Sequence, residues 1–412
     1  MSVSDAIIAV EKISDGLVAL PGSEEYNNLT SSYFTELERE IKPACFITPN
    51  STAQVAAVVK AIRPFAKPSM LAICGAAPGI QIDADRRIVS VAAGERMGNV
   101  YDEVVAAGLG VVGNRHSSGG IGGDAVQGGL SYFSYEQGFI CDNVVNYEIV
   151  LASGEVANAN ADTNRDLWVA LKGGANNFGI VTRFDLRAFP QGRLWGGKVF
   201  YFQPSFSGQI GSLVEYLKDP NPDVDIHICL SLGYAPAMGD LLAMNDIFCT
   251  KPEKPKALEP FSDVQPQIEQ MKTLRVDSLK ALTDEAFSGV ENLLFSITFE
   301  PIPVSLIEQS IARGRDGNSL GLKPSDGPLV VVLLYTSWDK SSDDEKVYEV
   351  NKEALQIIEA KAVDTNLYLP YLYMNYAFPH QDPITAYGSE SKANLQAGFF
   401  QTSGVGPWKI LK

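Results

Sequence analysis

Six of the eleven residues from Gly119 to Gly129 are glycine, inside the run Gly113-Asn-Arg-His-Ser-Ser-Gly-Gly-Ile-Gly-Gly-Asp-Ala-Val-Gln-Gly-Gly129. That density is too high for the interior of a helix or strand. Glycine reaches positive φ and lets backbone N–H groups converge, so such a loop can cradle a diphosphate or a flat ring. A ligand-free turn would use the same residues. Gly120-Ile-Gly122-Gly-Asp-Ala125 formally satisfies G-x-G-x-x-A, but a second glycine pair follows where the dinucleotide-binding helix should be running. Gly192-Arg-Leu-Trp-Gly-Gly197-Lys198 approaches a P-loop and fails at Val199, where Ser or Thr must reach a metal ion.

Two further segments carry chemistry-capable groups. Gly173-Gly-Ala-Asn-Asn-Phe-Gly179-Ile-Val-Thr-Arg-Phe184 is a glycine turn running into a strand. In Tyr371-Leu-Tyr373-Met-Asn375-Tyr376, a period of two puts Tyr371, Tyr373 and Asn375 on one face. Such a face suits a cofactor ring, or equally an aromatic sheet half in water. Histidine is scarce, with only His116, His227 and His380, so a multi-histidine metal centre is not expected and no metal site is assigned. His116 and His380 stand in or near the segments that these motifs single out, as candidate chemical groups or as hydrogen-bonded structural histidines.

The elements that position these groups fall into three zones. Up to residue 190 the chain alternates short apolar runs with helical patterns. Strands are predicted at 88–92, 108–113, 146–151 and 179–184, with a tight turn at Ser153-Gly154. Helices are predicted at 51–62, with Val55, Val58, Val59 and Ile62 as its stripe, and at 164–172. From 191 to 370 longer strands begin at Lys198, Asp225, Glu291 and Pro328. They alternate with helical patterns at 207–217, 264–274 and 342–360, the last with Val347, Val350, Ala354, Ile357 and Ile358 as its stripe. An antiparallel sheet with helices on one face fits this zone; the alternation alone also suits a parallel one. The zone from 371 to 412 is expected to be loop-rich. The 412 residues allow one large or two intimate domains.

A formal net charge of −16 argues against nucleic-acid or membrane-surface partners. Five widely spaced cysteines without C-x-x-C suggest buried thiols in a reducing compartment. The opening MSVSDAIIAVEKISDG lacks a basic n-region, and a cytoplasmic location is expected. The oligomeric state is not legible.

In order and length, the segments from Leu109 to Pro190, with Pro43–Pro49 and Tyr373–Gly388, resemble the flavin domain of the berberine-bridge-enzyme-like FAD-linked oxidoreductases, fungal secondary-metabolism branch. The resemblance implies an α+β fold: a PCMH-type FAD-binding domain of two α/β subdomains (1–190, completed by 371–412) and a substrate-binding domain (191–370) with an antiparallel sheet and helices. It implies FAD contacts from Ser117, Ser118, Gly119, Gly120, Gly122, Gly123, Gly128 and Gly129, and, largely by backbone, from Asn143, Asn177, Gly179 and Val181. Tyr373 and Asn375 return to the flavin edge. The implied activity is oxidation of a small organic molecule, with O2 as electron acceptor and Tyr373, Asn375 and His116 as candidate catalytic groups.

The departures are specific. The family's first flavin loop carries a covalently attached histidine. The matching stretch here is Leu71-Ala-Ile-Cys-Gly-Ala-Ala-Pro-Gly79, and no histidine precedes His116, so any FAD is expected to be non-covalent. Stretches after that loop and between Ala397 and Phe399 are shortened, and Asp124 and Gln127 put polar side chains in the glycine run. The alternative reading is a flavin-degenerate relative acting non-oxidatively, as an isomerase or cyclase, or the inactive product of a mis-joined gene model.

Overall fold

A computed structural model of the chain describes residues 3–13, 16–33, 35–65, 79–83, 85, 87–235, 240–265, 267–268, 290, 292–314 and 317–403. The Leu71–Pro78 part of the first flavin loop lies outside the described residues. In chain order the described strands are β1 (Val18–Ala19), β2 (Phe46–Ile47), β3 (Ile80–Asp83), β4 (Ile88–Ala92), β5 (Leu109–Val111), β6 (Val144–Val150), β7 (Val156–Asn160), β8 (Ile180–Pro190), β9 (Trp195–Phe202), β10 (Ile226–Ala235), β11 (Asp240–Cys249), β12 (Gln267–Ile268), β13 (Leu294–Ile302) and β14 (Leu329–Ser337).

β1 and β2 form a small ribbon. A first sheet runs β3-β4-β8-β6-β7 with β5 also paired to β8, and a second runs β12-β9-β11-β10-β13-β14. Every pairing is antiparallel, which decides the question that the alternation left open. The fold is α+β, as expected.

β8 organises the first sheet because its Thr182, Phe184, Leu186 and Ala188 point inward at a period of two. Tyr147 on β6 meets Phe184 edge-on at 5.7 Å between ring centroids. Helix Thr52–Ile62 begins where Ser51 Oγ accepts from Gln54 N (3.3 Å), and it buries Val55 and Val59 against Val150. Helix Met97–Ala106 buries Met97, Val100 and Val104, a stripe that the sequence reading passed over. On the second sheet, helix Phe206–Lys218 buries Leu213 and Tyr216, and Gln209 near its start accepts from Asn245 of β11.

Four expectations need correction. The helix over 264–274 is not found where residues are described: Gln267–Ile268 pair with β9, and 269–274 lie outside the described residues. Asp240–Cys249 and Val304–Gly314 are a strand and a helix that the zone reading did not separate out. Helix Asp344–Asp364 exists, but its stripe meets protein mainly at the N-terminal end. There Val347 and Val350 pack with Leu293, Phe295 and Trp338, while Ile357 is 70% exposed. The loop-rich end holds a helix, Ser389–Ser403, seated by Leu395 close to Gly174. Gly398 and a mixed polar sequence hide its helical period. Among the described residues no helix is long and apolar enough to cross a membrane.

Lys172 is fully buried, with Nζ 3.3 Å from the Trp168 ring centroid and no hydrogen bond to it among the described residues. Burial pulls its pKa down to about 8, against the opposing pull of Asp142 and Cys141. An unfolded lysine titrates near ~10.4. Between the two values the unfolded chain binds more protons, so stability rises with pH there and is flat below about 8. Urea denaturation across this range should show the rise. Lys172→Met should abolish it and be more stable at neutral pH by roughly 1–3 kcal/mol.

Candidate functional site: a cleft between the glycine run and the Tyr373–Tyr376 turn

Three segments line one cleft of ≈ 320 Å³: the loop after β5 with Asn114 and Arg115, the glycine run with Gly120, Gly123, Asp124 and Gln127, and the turn with Tyr373, Asn375 and Tyr376. The glycine run is partly helical, against expectation, over Ile121–Gln127. Gly122 and Gly123 weaken that helix by about 1 kcal/mol each. Burial of Ile121, Ala125 and Val126 compensates, and Tyr147 Oη donates to Ala125 O at 2.9 Å. The helix stops at Gly128 (φ +115°) and Gly129 (φ +75°), whose carbonyls accept from Cys141 N and Ile140 N, both at 2.9 Å.

The glycines of the run divide into two groups. A Cβ at Gly123 would meet nothing within 4 Å, and at Gly120 and Gly122 only the carbonyls of Glu95 and Ala93 at 3.8 and 3.7 Å. Gly123 thus faces open space, Gly120 and Gly122 stand at ordinary contact distance, and of the three Gly120 and Gly123 line the cleft. At Gly129, by contrast, a Cβ would press on Ile140 Cδ1 at 2.7 Å and Asp124 O at 2.9 Å, and at Gly119 on Asn114 Nδ2 at 2.7 Å. Gly128 and Gly129 are required by the turn, and Gly119 by close packing.

Asp124 is fixed from two sides, accepting from Asn114 Nδ2 and from Asn375 Nδ2 (3.0 Å); Asn375 Oδ1 in turn accepts from Gly129 N at 3.3 Å. Burial raises its carboxyl pKa, and the Asn114 bond, Arg115 and the Asn375 bond offset part of the rise.

Arg115 enters the second sheet. Its Nη1 and Nη2 pair with the two carboxylate oxygens of Glu300 on β13, and Nη2 donates to Tyr376 Oη at 2.5 Å. Nη1 lies 3.3 Å from both His227 Nε2 and Cys229 Sγ on β10. Facing an N–H donor, Nε2 carries the lone pair. Burial first, then Arg115, holds His227 well below its usual pKa and neutral. His227, Cys229 and Glu300 place donor atoms within 4.8 Å of one another, a metal-like set, and the guanidinium stands among them as the cation.

Tyr371–Tyr376 is not a strand. Met374–Tyr376 is a 3-10 turn closed by Tyr376 N to Tyr373 O at 3.0 Å, and it pairs with no strand among the described residues. It still brings Tyr373 and Asn375 to the cleft and adds Tyr376. Burial, then Tyr376 and Glu300, pushes the Tyr373 phenol well above its ordinary range, which disfavours it as a base. Tyr376 Oη donates to Glu300 Oε2 at 2.7 Å, and its ring meets that of Tyr373 edge-on at 4.7 Å.

The other expected residues sit apart. His116 is exposed, its Nδ1 2.8 Å from Ser118 Oγ, and Ser117 is exposed beside it; His380 is exposed against Phe378. None of these lines the cleft. Asn143 is buried and bonds Gln137 O and Phe139 O; Asn177 bonds Gly174 O; Gly179 (φ +151°) packs on Val150 O; and Val181 lies on β8 opposite Ile149. Arg115, Glu300, His227 and Cys229 were missed as a group. Two carry a period-two signal, His227 and Cys229 on one face of an apolar strand, but nothing in the sequence joins them to Arg115.

Glu300→Gln leaves the half-buried Arg115 guanidinium without its counter-charge and should cost roughly 1–3 kcal/mol in urea denaturation. Replacing both Arg115 and Glu300 by Met should recover most of that loss. A double variant no more stable than the single one would show that the pair is not acting as an ion pair.

A family model described as an FAD binding domain matches residues 70–160. The FAD-dependent monooxygenase tpcD of Cochliobolus heterostrophus is 32% identical, over 89% of this chain and 83% of that protein. The FAD-dependent monooxygenase sdcF of Emericella nidulans is 28% identical over 99% of both; that alignment spans 477 positions against 412 residues here, so this relative carries segments that the chain lacks. Among solved structures, Physcomitrella patens BBE-like 1 superposes with a TM-score of 0.71 at 17% identity, over 97% of this chain and 96% of that one. Berberine bridge enzyme from Eschscholzia californica does so at 0.65 and 15%, over 86% and 84%. The structural likenesses carry the fold and the sequence relatives carry the kinship: the chain belongs to the family of FAD-linked oxidoreductases that contains these fungal monooxygenases.

Proposed function

We propose that the protein oxidises a small organic molecule, a secondary-metabolite intermediate, with non-covalently held FAD and with O2 as electron acceptor. The observation that carries the reading is the unobstructed backbone of Gly120 and Gly123 in one cleft with Asp124, Asn375 and Tyr376, in a chain of FAD-linked kinship. A cleft of ≈ 320 Å³ is at the lower end for ligand sites. It takes a ring system, and the remainder of a dinucleotide would extend beyond it. Bound there, FAD supplies a hydride acceptor. Non-covalent binding is supported by the lack of any histidine before His116, and O2 by the monooxygenase names of the relatives. We assign 1–190 with 371–412 to cofactor binding and 191–370 to substrate; the Asn375 bonds to Asp124 and Gly129 support the pairing of the two ends.

The chain's own groups handle the proton. Tyr376 Oη accepts a proton from a substrate hydroxyl while its own proton moves to Glu300 Oε2 along the existing 2.7 Å bond. Arg115 keeps its bond to Oη throughout. Burial, then Glu300, raises the Tyr376 phenol above its ordinary range, so the transfer has to be concerted.

The alternative, a flavin-degenerate relative, draws support from the longer span of its relatives. A visible absorption spectrum, repeated on the supernatant after acid precipitation, separates the two. Flavin bands that move to the supernatant are expected. A protein that stays colourless after incubation with FAD and desalting would overturn the oxidative reading. Tyr376→Phe should keep the flavin bands and lower single-turnover flavin reduction by roughly 10²–10⁴-fold.

A further inference from the structure

Residues directly opposite in an antiparallel sheet share a face, so the second sheet can be read in rows. The face that carries His227, Cys229 and Glu300 looks toward Arg115. Its next row outward, about 7 Å along the strands, is Phe200, Met244, Ser231, Thr298 and Leu333; beyond that come Leu242, Ser296 and Tyr335. The other face is covered: Leu230, Tyr234 and Ala243 are buried. The outer rows of the Arg115-facing side are mostly half-buried, with Tyr335 38% exposed. They form a shelf continuing from Tyr376 and Glu300.

Two properties of this shelf define what it can hold. Ser231 Oγ and Thr298 Oγ1 lie 2.8 Å apart, so one donates to the other and one hydroxyl proton is left over, with no other partner for the pair among the described residues. The side chains named on these two rows include no Asp, Glu, His, Lys or Arg. The adjoining charges are already matched, Arg115 with Glu300 and Lys198 with Asp246 at 2.7 Å. A carboxylate placed on the shelf would lose water and gain no counter-ion, whereas a hydroxyl or carbonyl oxygen would gain the spare proton.

Resting on the oxidoreductase reading above, we infer that the substrate is a neutral, largely apolar molecule with a hydrogen-bonding oxygen at the Ser231–Thr298 pair, about 7 Å from the row that holds Glu300. The pair determines specificity and takes no part in proton transfer.

Isothermal titration of the purified protein with three probes tests this: naphthalene bearing a hydroxymethyl group at each end, the same ring with one end oxidised to carboxylate, and the ring with a single hydroxymethyl group. The diol should bind at least about tenfold more tightly than the acid. Thr298→Val and Ser231→Ala should each weaken the diol about fivefold and leave the mono-alcohol unchanged, and Thr298→Ser should restore it. An acid that binds as tightly as the diol, a diol that does not bind, or variants that weaken both alcohols equally would overturn the inference. The flavin spectrum of the same samples separates the two readings. Flavin-free protein with the diol preference intact sinks the oxidative function alone; flavin-loaded protein that prefers the acid sinks the substrate class alone.

Discussion

A guanidinium largely taken out of water must find fixed acceptors, and Arg115 finds them on three parts of the chain: Glu300 on β13, His227 and Cys229 on β10, and Tyr376 in the Met374–Tyr376 turn. The requirement is mutual, because a carboxylate 2% exposed at its side chain needs the cation equally. This one cation therefore fixes how the second sheet sits over the loop after β5, and how the Met374–Tyr376 turn closes on both. The width of the cleft follows from it. Removing either charge would leave the other uncompensated at the place where the cleft meets the sheet.

The glycine run shows how one composition serves two purposes. Gly128 and Gly129 are demanded by positive φ and by contact with Ile140 and Asp124 O, so they would be glycine with or without a ligand. Gly122 and Gly123 have no such reason. They sit in a helix that they weaken, with open space beside Gly123 and no clash at Gly122. A stability cost without a packing reason is the expected mark of a surface kept clear for something else.

The sequence made β8 and the Thr52–Ile62 helix legible because each has a regular apolar period and clear end signals at Gly179 and Ser51. It made Tyr373 and Asn375 legible as cleft residues for a reason that did not hold, since the segment is a 3-10 turn and not a strand. Asp124 was visible as an odd polar residue among glycines; its two asparagine partners, one 251 positions away, were not. The same gap hid the Arg115 group, whose members are ordinary residues on a loop and two apolar strands until the fold joins them. Local pattern reveals elements; the partners of a buried charge belong to tertiary structure.

Tyr373 and Tyr376 make the point chemically. They are three residues apart, they touch, and burial raises both phenols. Composition cannot rank them as proton acceptors. What separates them is the second partner: Tyr376 already donates to a carboxylate and accepts from a guanidinium, so it can take one proton as it gives up another without becoming a buried phenolate. A raised phenol pKa, which counts against a free tyrosine base, is then no obstacle, because the charge that moves ends on Glu300. There it neutralises the carboxylate and leaves Arg115 without its counter-charge, so the proton has to leave Glu300 again before the next turnover.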